Sequence, residues 1–291
     1  MFTIGYLGSG NLGLQLLQFV HKTQRLQFVM TDKLSLPIVA YCEAHMLPVY
    51  IGNPNSAAGR AFVLPFSIEL LVSVNYLFLI DDQLIQKPSR LAFNIHGSLL
   101  PKYRGRTPHV WAIINNEAET GITAHEIDAG CDSGAIIRQV RIPITTADTG
   151  ASVLARFESE YERLVGAVFD DMQHDRLQRS PQDHSKATYF GKRTPDDGLI
   201  NWNWQKERIR NWVRAQAYPY PGAFTFFGAH KITIDEIVFS ELGFTDDIAN
   251  GTIMQQHPCL VKTPNGLVEL KTIRGGFEHF TVPSHFKNVA V

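Results

Sequence analysis

The sequence predicts an α/β protein, with a mostly parallel sheet in the N-terminal part and a small, β-rich domain after it. In the first half, short apolar runs alternate with helical patterns, which is typical of a doubly wound sheet. The C-terminal tail carries several short strand-like runs separated by turn signals, which is typical of a small open barrel. We therefore expect two domains, residues 1–190 and residues 200–291.

The first half supplies the elements of the parallel sheet. Runs rich in β-branched and aromatic residues predict buried strands at residues 2–7, 26–30, 48–51, 72–80 and 91–95. After the first strand, Leu12, Leu16, Phe19 and Val20 fall on one helical face and predict a helix. A second helix is predicted at residues 36–45. Strands that are connected through helices in this way are expected to run parallel.

The pattern changes after residue 120. Two β-like runs, residues 120–127 and 135–143, are joined by the loop 128–134 and predict an antiparallel hairpin. A long helix is predicted at residues 151–174, N-capped by Thr149 or Asp148, with an apolar stripe formed by Leu154, Phe157, Tyr161, Leu164, Val168 and Met172. The polar stretch 176–186 marks the domain boundary. Beyond it we expect a helix at residues 204–217 and strands at residues 223–227, 230–237, 251–254, 260–262 and 267–273.

The composition limits the classes of partner. The chain has 291 residues, of which 44% are hydrophobic and 19% are charged. Its net charge of −1 and its pI of about 6.8 argue against binding of nucleic acid through a broadly basic surface. Cys42, Cys131 and Cys259 form neither a disulfide framework nor a metal-binding C-x-x-C pair. With no leader segment before the first strand and no apolar run that spans a bilayer, we expect a cytoplasmic protein without a membrane partner.

A glycine-rich motif lies near the N-terminus. Residues 8–13, GSGNLG, match G-x-G-x-x-G between a predicted strand and a helix, and Asp32 follows the next strand. One interpretation is a dinucleotide site, with a pyrophosphate at the helix N-terminus. The other is a tight turn between strand and helix. Taken alone, the motif leaves an NAD-binding protein open.

A second polar segment lies at the end of the last predicted parallel strand. Asn94 and His96 are two residues apart, so their side chains point to the same side, at the edge where active sites of open α/β sheets form. An amide donor beside an imidazole stabilises an oxyanion that develops on a carbonyl carbon. A nearby carboxylate sets the charge state of the imidazole and takes up a proton. Taken singly, a histidine such as His96 is more often a packing residue than a catalytic one, and an aspartate in a loop such as Asp132 is by default a turn residue.

Six segments carry a shared signature: residues 94–106 (NIHGSLLPKYRGR), 111–113 (WAI), 119–125 (ETGITAH), 128–134 (DAGCDSG), 187–197 (ATYFGKRTPDD) and 219–224 (PYPGAF). Together they resemble the folate-dependent formyltransferase family, whose catalytic signature is Asn-x-His with a downstream Asp-x-Gly. Within the family, the sequences of these segments are most similar to those of the domain that formylates UDP-4-amino-4-deoxy-arabinose. They are also similar to those of enzymes that act on nucleotide-linked 4-amino-4,6-dideoxy sugars. The resemblance implies a Rossmann-like folate domain followed by a small barrel-like (OB-like) domain.

The resemblance also implies roles for individual residues. Asn94 would hydrogen-bond the formyl oxygen, and His96 would act as an acid or oxyanion stabiliser. Asp132 would raise the pKa of His96 and relay the proton of the amine. The implied co-substrate is 10-formyltetrahydrofolate, and we expect no metal. The residues that the resemblance places around the folate are Gln83, Leu84, Ile85, Arg106, Asp128, Ala129, Gly130 and Cys131.

The acceptor amine is expected on a UDP- or dTDP-linked amino-dideoxy sugar used in surface-glycan synthesis. Initiator methionyl-tRNA is the alternative acceptor, and the neutral pI and the lack of a basic insertion argue against it. A second alternative is an NAD-binding or folate-binding module without catalysis. The expected partners are therefore a small nucleotide sugar and, as an option, a second copy of the chain in a homodimer, with no nucleic acid.

Overall fold

The structure, a computed structural model, describes residues 1–275, 282 and 284–286. The chain divides into two compact units. The first comprises Met1–Gly105, Gly121–Ile142 and Arg156–Tyr189, and the second comprises Arg106–Thr120, Pro143–Ala155 and Phe190–Val291. The longest run of the second unit begins near the predicted boundary, but that unit also includes two earlier segments. The domains 1–190 and 200–291 stay a prediction.

Seven strands form the sheet of the first unit: β1 (Thr3–Gly8), β2 (Arg25–Thr31), β3 (Val49–Ile51), β4 (Leu70–Val74), β5 (Leu91–His96), β7 (Glu119–Glu126) and β8 (Ile136–Pro143). A two-residue strand, β6 (Arg104–Gly105), precedes β7. The strand order is β3-β2-β1-β4-β5-β7-β8. β1 to β5 pair in parallel, and β7 pairs antiparallel with β5. This is the mostly parallel sheet that the sequence predicts.

Helices connect these strands: α1 (Gly10–Thr23), α2 (Leu36–Ala44), α3 (Ala57–Val63), α4 (Asp82–Ile85), α5 (Pro108–Ile114) and α6 (Gly150–Gln173). Buried strands with helices on both faces carry apolar residues at consecutive positions, and β4 is accordingly buried along its whole length. Leu7, Phe28, Met30 and Leu71 share a core cluster in which each is fully buried. Burying a side chain of this size contributes about 1.5–3 kcal/mol, and this core packs β1, β2 and β4 together.

The second unit is built on a six-stranded antiparallel sheet that curls into a half-barrel. Its strands are β10 (Ala223–Phe227), β11 (His230–Ser240), β12 (Thr252–Gln255), β13 (Leu260–Thr263), β14 (Gly266–Arg274) and β15 (Ser284–His285), and a two-residue strand, β9 (Tyr189–Phe190), comes before them. Their order is β10-β11-β14-β13-β12-β15. Helix α7 (Lys206–Ala215) packs on β11. The fully buried indole of Trp202 stacks on Phe286 with ring centroids 5.5 Å apart.

Two details of the predicted elements are wrong. The strand predicted at residues 72–80 ends at Val74, because Asn75 takes a left-handed backbone (φ 50°) and its side chain donates to the Ser9 carbonyl. In α6 the buried stripe includes Val153, whereas Leu154 is half-buried. The short helices α3 and α4 were not predicted, since seven and four residues give too little periodicity.

None of the helices in the part of the chain that the structure describes combines the length and the apolar character that crossing a membrane requires.

Candidate active site

The carboxyl end of β5 presents two polar side chains on one side of the sheet. Asn94 and His96 alternate with the buried Phe93 and Ile95, so the pleat of the strand turns both polar groups the same way. Asn94 is half-buried, and His96 is 6% exposed. The pair therefore lies where the strand pattern predicts, at the edge of the sheet where the parallel strands end.

The imidazole of His96 is held by a backbone carbonyl. Its Nε2 lies 2.7 Å from the carbonyl oxygen of Tyr103. Since a carbonyl only accepts, the proton of the neutral ring is on Nε2, and Nδ1 carries the lone pair. Burial lowers the pKa of His96, while the charge of Asp132 and the bond to Tyr103 raise it, and His125 and Arg104 lower it further. Burial outweighs the effect of Asp132, so the ring is neutral near pH 7.

Asp132 lies in the loop between β7 and β8, with its backbone in the left-handed region (φ 52°). One carboxylate oxygen, Oδ2, accepts the N–H of Gly105 at 2.9 Å and lies 3.6 Å from Nδ1 of His96. Burial raises the pKa of this carboxyl, but His96, His125 and the Gly105 N–H together hold it well below its usual range. The carboxylate is therefore charged at neutral pH and faces the free nitrogen of His96.

His125 also lies in this group, although its sequence position alone did not predict a role for it. It lies across from Asn94 in the antiparallel pairing of β5 and β7. Its Nε2 is 3.2 Å from Nδ2 of Asn94 and 3.6 Å from Oδ1 of Asp132, and its Nδ1 lies 2.7 Å from the Glu126 carbonyl. The sequence does carry a signal for His125: Thr123 and His125 point to the same side of a strand that lies next to Asn94. The pairing register, which brings them together, could not be read from the sequence.

The loop before Asp132 is fixed by its own polar groups. The Oδ1 atom of Asp128 accepts the Gly130 N–H at 3.1 Å and the Ser133 hydroxyl at 2.7 Å. At Gly134, an added Cβ would lie 2.0 Å from the Glu126 carbonyl oxygen, so only glycine fits this close approach. The loop therefore returns to β8 along one path, which sets where Asp132 stands.

A cavity of about 370 Å³ opens beside this loop. Its lining includes Ile85, Arg90, Ile127, Asp128 and Gly134. The walls thus combine apolar side chains with one cation, Arg90, and two carboxylates, Glu126 and Asp128. That mixture suits a planar heterocycle with polar edges.

Chemically, the group can take up one proton and hold the resulting charge. The lone pair on Nδ1 of His96 is the acceptor, and the Asp132 carboxylate at 3.6 Å stabilises the imidazolium that forms. The Asn94 amide, turned by His125, is a donor for an oxygen that becomes negative. These are the parts needed for acyl transfer to an amine.

Two family models match the chain and decide its family. Formyl transferase matches residues 54–168, and formyl transferase, C-terminal domain, matches residues 192–281. The chain belongs to the formyl transferase family. It is a formyl-transferring enzyme, and the residues Asn94, His96 and Asp132 lie within the first matched region.

Solved structures with the same fold include other formyltransferases. One is WlaRD, a sugar 3N-formyl transferase, in the presence of dTDP and 5-N-formyl-THF; it is 21% identical with a TM-score of 0.65, covering 93% of this chain and 97% of that one. Another is the N-formyltransferase from Helicobacter canadensis, in complex with folinic acid and dTDP-3-aminofucose, at 22% identity and a TM-score of 0.68, covering 94% and 100%. Methionyl-tRNA formyltransferase from Clostridium thermocellum is 16% identical with a TM-score of 0.59, covering 82% and 94%.

The residues expected around the folate of this formyltransferase fall in three places. Asp128 and Ile85 line the cavity beside the loop, and Ala129, Gly130 and Cys131 are exposed on the loop itself. Gln83, Leu84 and Ile85 form α4, in which the N–H groups of Leu84 and Ile85 donate to Asp81. Arg106 belongs to the second unit, where its N–H donates to the Phe190 carbonyl. Their contacts with folate stay a prediction.

In this family member the glycine motif is a turn closed by the chain itself. Gly10 has a left-handed backbone (φ 66°), and its N–H donates to the Ser35 hydroxyl at 2.9 Å. The carboxylate of Asp32 accepts the Leu34 N–H and the Ser35 hydroxyl at 2.8 and 2.6 Å. Asp32 is thus committed to its own loop, which favours the turn interpretation over a dinucleotide site.

Proposed function

We propose that this formyltransferase moves the formyl group of 10-formyltetrahydrofolate to the amine of a UDP- or dTDP-linked amino-dideoxy sugar. The observation that carries the proposal is the arrangement of Asn94, His96 and Asp132, with Nδ1 of His96 at 3.6 Å from a charged carboxylate. Support for the acceptor comes from two proteins of the same fold, whose structures hold dTDP or dTDP-3-aminofucose with a formyl-folate compound.

The reaction begins when the neutral amine of the sugar attacks the formyl carbon. A carbon–nitrogen bond forms, and the carbonyl oxygen becomes an oxyanion that accepts a hydrogen bond from Asn94. The attacking nitrogen passes one proton to Nδ1 of His96, and Asp132 stabilises the imidazolium. The imidazolium then returns the proton to the folate nitrogen as its bond to the carbon breaks. The products are the formamide and tetrahydrofolate, and the enzyme ends in its starting state.

The folate contacts form the second part of the proposal. The cavity of about 370 Å³ lies next to the loop that carries Asp132, and its walls include Ile85 and Asp128. A heterocycle held there would place the formyl group toward Asn94 and His96. We propose contacts from Gln83, Leu84, Ile85, Arg106, Asp128, Ala129, Gly130 and Cys131, with no metal.

A tRNA acceptor is the alternative, since methionyl-tRNA formyltransferase shares the fold. A protein that binds a folded RNA neutralises several phosphates, so its affinity falls steeply with salt. The net charge of −1 does not favour such a footprint. A nucleotide sugar carries only a pyrophosphate, and one or two cations with some backbone N–H groups are enough to bind it.

The test is a panel of acceptors assayed with 10-formyltetrahydrofolate: UDP- and dTDP-linked amino sugars, and charged initiator tRNA. We expect turnover of at least one nucleotide sugar, with a KM that depends only weakly on salt. The tRNA should be a poor acceptor. Turnover of the tRNA, with none of any nucleotide sugar, would overturn the proposed acceptor while leaving formyl transfer in place.

We further propose that the protein is cytoplasmic. Light scattering will decide between a monomer and a homodimer.

A further inference from the structure

Two polar side chains outside the reacting group, Arg104 and Gln182, are buried behind the Asp132 loop. Arg104 is 1% exposed and Gln182 is 6% exposed. A buried charge is costly unless hydrogen bonds satisfy it. Specific hydrogen bonds therefore hold both side chains in place.

The guanidinium of Arg104 contacts an amide, a hydroxyl and an imidazole. Its Nη2 and Nε donate to Oε1 of Gln182 at 2.6 and 3.2 Å, Nη1 donates to the Tyr189 hydroxyl, and Nη2 lies 3.2 Å from Nδ1 of His184. Within the described part of the chain, no carboxylate forms a salt bridge with it. The positive charge of Arg104 lowers the pKa of His96.

The amide of Gln182 can take only one orientation. Because a guanidinium has donors and no acceptor, the side-chain oxygen of Gln182 must face Arg104. Its NH₂ group must then face the other way, where Nε2 donates to the carbonyl oxygens of Asp132 and Gly134 at 2.9 and 2.7 Å. Arg104 therefore sets the direction in which Gln182 holds the loop.

The same short strand also holds the side chain of Asp132. The N–H of Gly105, the residue after Arg104, donates to Oδ2 of Asp132 at 2.9 Å. The carboxylate is thus held by the backbone of β6, and the main chain of Asp132 is held by Gln182. These two attachments keep a left-handed aspartate (φ 52°) in one conformation.

We propose that Gln182, oriented by Arg104, is a positioning residue that keeps the Asp132 carboxylate beside Nδ1 of His96. The proposal rests on the proposed function for its catalytic consequence, but the geometry that it describes exists in the resting protein. The charged or titratable groups that influence His96 are Asp132, His125 and Arg104. Of these, Asp132 is the one that the Gln182 contact would release.

The first variant is Gln182→Met, which has a similar volume and no hydrogen-bonding amide. With Asp132 released, the group that raises the His96 pKa is withdrawn. We expect turnover to fall about 10- to 100-fold, which is less than the roughly 10²–10⁴-fold worth of a general acid–base contact, because His96 and Asp132 are both still present. We also expect the acid limb of the pH profile, and the midpoint of the His96 signal in ¹⁵N-histidine NMR, to move to lower pH. A His96→Asn spectrum identifies that signal.

The second variant is Gln182→Glu, which separates positioning from simple support of Arg104. A glutamate pairs with the buried guanidinium but has no N–H for the two carbonyls of the loop. We expect its turnover to be as low as that of Gln182→Met, within about threefold. Wild-type turnover in Gln182→Glu would overturn the proposal, because Gln182 would then serve only as the partner of Arg104. If Gln182→Met does not fold, this variant decides alone.

The matched control is Gln24→Met. The side chain of Gln24 is also hydrogen-bonded to the backbone, since its Oε1 accepts from the Phe2 N–H at 2.8 Å, but Gln24 directly precedes β2 and lies at the amino ends of the parallel strands. The Gln24→Met variant should leave both turnover and the midpoint pH of the His96 NMR signal unchanged. An unchanged His96 midpoint in Gln182→Met would contradict the proposal even if the acceptor of the enzyme were misidentified, since the NMR measurement needs no substrate.

Discussion

The side chain of His125 turns the amide of Asn94: its Nε2 lies 3.2 Å from Asn94 Nδ2, directly across the pairing of β5 and β7. The Nδ1–H of His125 donates to the Glu126 carbonyl, which leaves Nε2 as an acceptor for Asn94. One N–H of the Asn94 amide is thereby engaged, and the direction of the other is set. We therefore expect the histidine to act through Asn94 and not on the substrate.

Replacing His125 should lower turnover by freeing the Asn94 amide. We expect His125→Phe to reduce kcat about 10- to 100-fold, which is less than the loss of an oxyanion donor itself, about 10²–10³. His125→Gln offers an acceptor in the same direction and should retain most of the activity. Steady-state kinetics of both variants check this. Equal losses in the two variants would mean that the ring is needed only for packing.

His96→Asn should abolish nearly all formyl transfer while the protein stays folded. The variant keeps a group that can donate to the Tyr103 carbonyl, but it has no lone pair to accept the proton of the amine. We expect turnover below about a tenth of the wild-type value, with an unchanged circular dichroism spectrum. His230→Asn, at an exposed position in the second unit, is the control. Residual turnover above that level would remove His96 from the proton path.

Asp132→Asn should slow turnover and shift its pH dependence. The variant loses the charge that stabilises the imidazolium, so kcat should fall about 10²-fold. Asp132 raises the pKa of His96 in the wild type, so its removal should move the acid limb of the profile to lower pH. The measurement is kcat between pH 5 and 9. A small loss with the same acid limb would identify Asp132 as a turn residue only.

The same substitution should change how stability depends on pH. The folded-state pKa of Asp132 lies well below the unfolded value of about 4. Its stabilising contribution is therefore fully present above pH ~4 and is lost as the pH falls through the folded pKa. Asp132→Asn should be less stable than wild type at pH 7 by about 1–2 kcal/mol, and the gap should narrow below pH ~4. Urea unfolding of both proteins at pH 7 and below pH ~4 tests this. If the stability difference between wild type and Asp132→Asn is the same at the two pH values, the ionised carboxylate is not its source.

The glycine motif at residues 8–13 should not bind a nicotinamide cofactor. The Gly10 N–H and the Asp32 carboxylate are already bonded to groups of the loop that contains Asp32 and Ser35. Calorimetric titration with NAD and NADP should therefore give no saturable heat. Tight binding of either cofactor would revive the dinucleotide interpretation.

The sequence determined the class of the fold and the placement of Asn94 and His96 on one side of a strand. Apolar runs with β-branched residues place the strands, because a strand buried on both faces needs apolar residues at consecutive positions. The two-residue spacing of Asn94 and His96 places them on one side of a strand, because the pleat alternates. Both inferences depend on local geometry, which a single chain segment contains. The strand predicted through residue 80 failed at Asn75, where a left-handed residue breaks an otherwise apolar run.

Only the tertiary structure decided which groups meet and in which state. His125 reaches Asn94 through the register of two antiparallel strands, and a slip of one residue would turn it to the other face. Gln182 reaches Asp132 from a loop much later in the chain, with Arg104 choosing its orientation. The neutral charge state of His96 follows from burial, and the Tyr103 carbonyl fixes which ring nitrogen carries the proton. Both belong to the packed protein and not to the segment around the histidine. These properties depend on distances between segments far apart in sequence, and such distances exist only once the core has formed.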